Sequence, residues 1–108
     1  VWDDDRQRFF FSCAASSRKA ANLAVNPQVV VAPEYTVECV SVEGSAQRLH
    51  GDQPRWVELY LAKYRALAPE LTGDFITGNA MYEVTPERAF GVVEREQEFA
   101  TRATRWVF

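Results

Sequence analysis

The stretch SCAASSRKAANLAVNPQVVV, residues 12–31, decides how the chain is read. It begins inside an apolar run, Phe9-Phe10-Phe11-Ser12-Cys13, and ends in a second one, Val29-Val30-Val31-Ala32. Short apolar runs bounded by turn residues read as buried strands. Between them, Arg18 to Val25 suits a helix of about two turns, with Ser16 or Ser17 as its N-cap. Asn26-Pro27 stops that helix, because the residue before a proline avoids the helical region. Strand, short helix and strand therefore follow one another without room for anything else.

Outward from there, period-two signals dominate. Val40, Val42, Gly44 and Ala46 alternate with Ser41, Glu43, Ser45 and Gln47, which predicts one long strand, and Gly44 within it signals a bulge or a close backbone approach. Further strands are expected over Met81 to Val84, Arg88 to Val93 and Thr104 to Phe108, with Thr85-Pro86-Glu87 as a turn between the first two. A second helix, amphipathic, is expected from Pro54 to Ala68, with Val57, Tyr60, Leu61, Tyr64, Leu67 and Ala68 on one face. Pro54 suits its first turn and Pro69 closes it. The fold class is mostly β: about six strands, one short helix after a strand, and one amphipathic helix covering a sheet or barrel end. The opening VWDDDRQRFFF reads as the end of a strand, an acidic turn at Asp3-Asp4-Asp5, and the start of the next strand. Residues 1–108 are therefore expected to form a single domain that lacks its first strand or strands.

Composition narrows the function. With 108 residues, 47% hydrophobic and 25% charged, the profile is that of one soluble globular domain. A net charge of -3 and a pI near 5.1 argue against a nucleic-acid partner, including a small nucleic-acid-binding barrel. Cys13 and Cys39 are too few for a disulfide framework or a zinc site and read as small buried residues in strands. No signal peptide and no apolar run of membrane length is apparent, so a reducing cytoplasm and no membrane partner are expected. His50 is the only histidine, which leaves no triad and no histidine-rich metal centre, and no metal is expected. Asp3 to Asp5, Glu94 and Glu96 read as surface acids, and the aromatic residues as core and interface.

Arg18 and Lys19 stand out against this background. A helix N-terminus carries partial positive charge, so two exposed cations there oppose the macrodipole by about 0.3–1 kcal/mol each. The hydroxyls of Ser16 and Ser17, the unpaired N–H groups of the helix start and the two cations all donate toward one place. Such a constellation suits a phosphate, with Arg18 able to bind two oxygens and Lys19 acting as a compact charge.

The same residues carry a family resemblance. Ser17-Arg18-Lys19, Asn22-Leu23, Asn26-Pro27 before a valine run, and Gly44-x-Ala46 resemble the pyridoxamine 5'-phosphate oxidase-like, or flavin/deazaflavin oxidoreductase, group with its FMN-binding type of split β-barrel. The likeness extends into MYEVTPERAFGVVE and the closing ATRWVF. The resemblance implies that Arg18 and Lys19 contact a cofactor phosphate, that Phe11 and Ser12 line the same cofactor, and that Ser16, Ser17 and Asn22 belong to its site. It also implies a homodimer with the cofactor at the subunit interface and a small-molecule substrate. The chain departs from the vitamin B6 enzymes of the group. One extra residue lies between Ser12 and Arg18, Cys39 stands where they place a glutamine that reaches the flavin from the second subunit, and their long C-terminal extension is absent. The shorter relatives, which use FMN, the deazaflavin coenzyme F-420 or sometimes haem, fit better. Two functions are thus expected in order: an FMN- or F-420-dependent oxidoreductase, then a non-catalytic flavin, deazaflavin or haem carrier. A redox cofactor brings its own reactive atoms, which accords with the lack of an acid/base constellation.

Overall fold

A computed structural model describes residues 1–35 and 37–108. The chain runs β1 (Trp2–Asp3), β2 (Arg8–Cys13), α1 (Arg18–Val25), β3 (Gln28–Val31), β4 (Glu38–Leu49), α2 (Pro54–Tyr64), α3 (Gly73–Thr77), β5 (Ala80–Val93) and β6 (Thr104–Val107). The described strands form one antiparallel sheet in the order β1-β2-β5-β4-β3, with β6 also on β5. β5 is the spine. Its first half lies between β2 and β4, and its second half lies between β6 and β4. This mostly β architecture with short helices is that of a split β-barrel, as the sequence leads one to expect.

The expected turn at Thr85-Pro86-Glu87 does not exist: β5 runs straight through it. Glu43 pairs with Arg88 and Gly44 with Pro86, so Glu87 is the additional residue of a β-bulge. The bulge puts two consecutive side chains, Glu87 and Arg88, on the exposed face while Pro86 and Ala89 stay buried. Glu87 accepts from the Ser45 hydroxyl at 2.7 Å, and Arg88 pairs with Glu43 at 2.8 Å. Proline, lacking an N–H, is tolerated where a bulge interrupts the ladder, which is why a turn-like tripeptide can continue a strand. Gly44 serves both roles anticipated for it. A Cβ there would stand 2.3 Å from the Thr85 carbonyl oxygen, so only glycine lets β4 and β5 approach at the bulge.

Alternation along β2 sends Phe10 to one face and Phe9, Phe11 and Cys13 to the other. On the first face Phe10, Trp56, Ile76 and Met81 form a closed core, with the Phe10 and Trp56 rings stacked at 5.3 Å. Trp56, only 1% exposed, is the anchor of α2, although it lies outside the expected apolar face. Its Nε1 donates to Glu83 at 3.1 Å, which satisfies its one polar group. α2 ends at Tyr64, not at Ala68, and Leu67 is 83% exposed. Pro69 disfavours the helical region at Ala68, and the chain instead closes a turn through N–H groups of Leu67 and Ala68 donating to the Tyr64 carbonyl. The short α3, not foreseen, adds Ile76 to this core.

Asp3 is also corrected. It is no surface acid but the one buried charged side chain among the described residues, 1% exposed. Its carboxylate accepts from the backbone N–H of Asp5 and Arg6 and from Arg55, whose Nη2 lies at 2.7 Å and whose Nε also donates. Those hydrogen bonds, that of Arg55 foremost, hold its pKa down to about 2. The ion pair ties the β1–β2 hairpin to the first turn of α2. No helix among the described residues is long and apolar enough to cross a membrane.

Candidate functional site

On the other face, α1 lies beside β3 and its leucine reaches the sheet. Ser17 takes the N-cap position (φ -71°, ψ 154°), and its Oγ accepts from the Ala20 N–H at 3.2 Å. At the far end Asn26 donates its N–H to the Asn22 carbonyl at 2.9 Å. The Asn26 Oδ1 accepts from the Gln28 N–H at 3.0 Å, turning the chain into β3. Ala20 is buried, and Leu23 packs on a cluster of Ala46, Ala80, Tyr82 and Val84. Phe9, Phe11, Val29 and Val31 complete this layer from β2 and β3. They remain half-buried, so the layer stays partly open.

Arg18 and Lys19 project from the first turn, are exposed, and pair with no carboxylate among the described residues. The first turn holds no acidic residue to complement the dipole. Lys19 Nζ sits 5.6 Å from the centroid of the Phe11 ring, and Phe11 in turn stacks on Tyr82 at 5.1 Å with planes 13° apart. A groove of about 790 Å³ runs along α1 past Arg18, Lys19, Asn22, Asn26 and Gln28. It adjoins an apolar pocket of about 370 Å³ walled by Phe11, Val29, Val30 and Val31, and Lys19, Leu23 and Val29 border both.

The fold thus brings Arg18, Lys19 and Asn22 to one groove and Phe11 to the pocket that adjoins it. Ser17, one residue before Arg18, does not line the groove; its oxygen is engaged as a cap acceptor from the Ala20 N–H. Ser16 is exposed one residue earlier. Ser12 lies next to Phe11 on β2, but strand alternation points its side chain to the opposite face. Cys39, half-buried in β4, borders a separate cleft of about 430 Å³ with Val40, Gly91, Arg102 and Trp106. Cys13 is likewise half-buried, in β2. Sequence reasoning missed Gln28, Val29, Val31 and Tyr82 as neighbours of the site. The alternation of the valine run pointed to β3 as a strand, but only the pairing of strands shows which residues meet α1.

Chemically, one end of the groove offers two cations and the N–H groups of Arg18 and Lys19, which have no acceptor within the helix. That end fits an anion with several acceptor oxygens. Beside it, the apolar wall fits a flat ring. A family model described as pyridoxamine 5'-phosphate oxidase matches residues 1–93, which include α1 and all strands from β1 to β5. No curated protein matches the chain.

Proposed function

This chain belongs to the pyridoxamine 5'-phosphate oxidase family, and from that premise we propose that it is an oxidoreductase using FMN or the deazaflavin coenzyme F-420. Membership supports a flavin-binding fold and a family that is often enzymatic. The observation that carries the finer reading is the pair of unpartnered cations opening α1 beside an apolar pocket. Arg18 would grip two phosphate oxygens at once, and Lys19, held over Phe11, would add a point charge. The Ser17 hydroxyl and that of Ser16 would donate to the same phosphate, and Asn22 would donate from the next turn of α1. Phe11, Leu23 and Val29 would exclude water along the ring, whereas Ser12 enters only through its backbone. When bound, such a cofactor supplies hydride transfer to or from a small organic substrate. A homodimer with the cofactor at the subunit interface belongs to the same reading; exposed Val40 of β4, Trp106 and Val107 of β6 and the adjacent Phe108 give the apolar surface it needs.

Fluorescence titration of FMN and of F-420 tests this with wild type and the Arg18→Ala/Lys19→Ala variant. Charge-assisted hydrogen bonds of this kind contribute about 1.5–3 kcal/mol each, so the variant should lose affinity by at least about tenfold. Unchanged affinity, or no binding of either compound by the wild type, overturns the reading. Anaerobic reduction of the bound cofactor followed by addition of electron acceptors then separates catalyst from carrier.

A further inference from the structure

β3 ends the sheet order, paired with β4 on one side and with no described strand on the other. Antiparallel pairing alternates residues that exchange backbone hydrogen bonds with the neighbouring strand and residues that turn theirs away from it. The Ala46 N–H donates to the Pro27 carbonyl at 2.8 Å, and this sets the phase. Val29 opposite Gly44 and Val31 opposite Val42 bond to β4, whereas Gln28 and Val30 face the free edge. Gln28 obeys this alternation, since its N–H donates to the Asn26 Oδ1 and not to β4. The N–H and C=O of Val30 have no partner among the described residues.

That free edge belongs to the apolar pocket of about 370 Å³. Side chains alternate along a strand: Val29 and Val31 join the layer of Phe11 and Leu23, while Val30 turns to the other side and is 64% exposed. Yet Val29, Val30, Val31 and Ala32 all wall the same pocket. Consecutive residues line one cavity where it meets the strand along its edge, so the pocket runs past the unpaired groups of Val30. An apolar pocket with one backbone donor and one backbone acceptor side by side suits a flat ring that carries an N–H next to a carbonyl.

We propose that the backbone of Val30 recognises the edge of the cofactor ring. Its N–H donates to a ring carbonyl oxygen, and its C=O accepts from the ring N–H beside that carbonyl, as a neighbouring strand would pair. The isoalloxazine of FMN and the deazaflavin of F-420 both carry such an edge, and a haem does not. The inference rests on the reading of the groove and pocket as a flavin or deazaflavin site. It goes further by naming the groups that select the ring.

Amide hydrogen exchange of the wild type, alone and with FMN or F-420, tests this directly. Without ligand the Val30 amide should exchange faster than those of Val29 and Val31, and the compound that binds should slow it by about tenfold or more. Val30→Pro removes the N–H, and proline is tolerated where that N–H faces away from the ladder. In fluorescence titration it should bind about threefold to tenfold more weakly, the range for one neutral hydrogen bond, whereas Val30→Ala, which keeps the N–H, should bind as the wild type does. A Val30 amide protected without ligand means that another strand already covers the edge, and one that still exchanges fast in the complex means that the ring lies elsewhere. Either result, or equal losses in Val30→Ala and Val30→Pro, overturns the inference, and a loss of affinity in Arg18→Ala/Lys19→Ala then leaves the cofactor site standing. Wild-type affinity in that double variant, or no binding of either compound by the wild type, overturns the site and the inference with it.

Discussion

On the α2 side of the sheet Phe10, Trp56, Ile76 and Met81 close over one another, whereas on the α1 side Phe9, Phe11, Leu23, Val29 and Val31 stay half-buried around Tyr82. Their polar groups differ in the same sense. The buried charge of the first side, Asp3, is met by two backbone donors and by Arg55, while on the second side Arg18 and Lys19 have no carboxylate partner among the described residues. A sheet has two faces to cover, and this one covers them for different ends. Closed packing with satisfied polar groups contributes stability. Accessible apolar surface beside unpaired donors is held at a cost to stability.

Mutations on the two faces should therefore differ in size and even in sign. Trp56→Ala removes the stacking partner of Phe10 and leaves Glu83 without its donor, so chemical denaturation should show a loss of about 3–5 kcal/mol, in the range of large core truncations. A loss no larger than that of a surface residue would dissolve the distinction between the faces. Asp3→Asn acts on the same side through charge. The folded-state pKa of Asp3, about 2, lies below the ordinary value of 3.8, so its contribution is fully present above about pH 4 and is lost as pH falls toward 2. The variant should be less stable than wild type at neutral pH and should show a flatter acid limb in pH-dependent unfolding. Parallel acid limbs would mean that the Arg55 pair does not hold the hairpin to α2. The smallest effect has the opposite sign. Arg18→Ala should raise stability by about 0.3–1 kcal/mol in the absence of ligand, since it removes a cation from the positive end of a helix. A loss instead would show that Arg18 serves the fold and is not held in reserve for an anion.

Much of this contrast is legible in the sequence. The boundaries of α1 follow from Ser17 and Asn26-Pro27, and the close approach at Gly44 follows from a glycine inside an alternating run, because both depend on residues near one another in the chain. The electrostatic oddity of Arg18 and Lys19 is local for the same reason. Thr85-Pro86-Glu87 misleads because its composition suits a turn equally well, and the bulge that keeps β5 extended depends on what Glu43 and Gly44 do across the ladder. Asp3 misleads likewise: its partner Arg55 stands 52 residues away, and nothing near Asp3 announces that the carboxylate is buried. Trp56 escapes a reading by periodicity because a helix of three turns offers more than one apolar stripe, and the sheet selects among them.

The sequence alone determined the succession of β2, α1, β3 and the long strand β4, the caps and stops of α1, and the presence of two cations where a helix disfavours them, because these depend on backbone preferences and short-range electrostatics. Tertiary structure alone decided that β5 is continuous, that Asp3 is buried against Arg55, and that Phe11, Lys19, Val29 and Tyr82 meet at one place. Those outcomes depend on strand register and on which face of each strand is covered, and such quantities exist only once distant segments have paired.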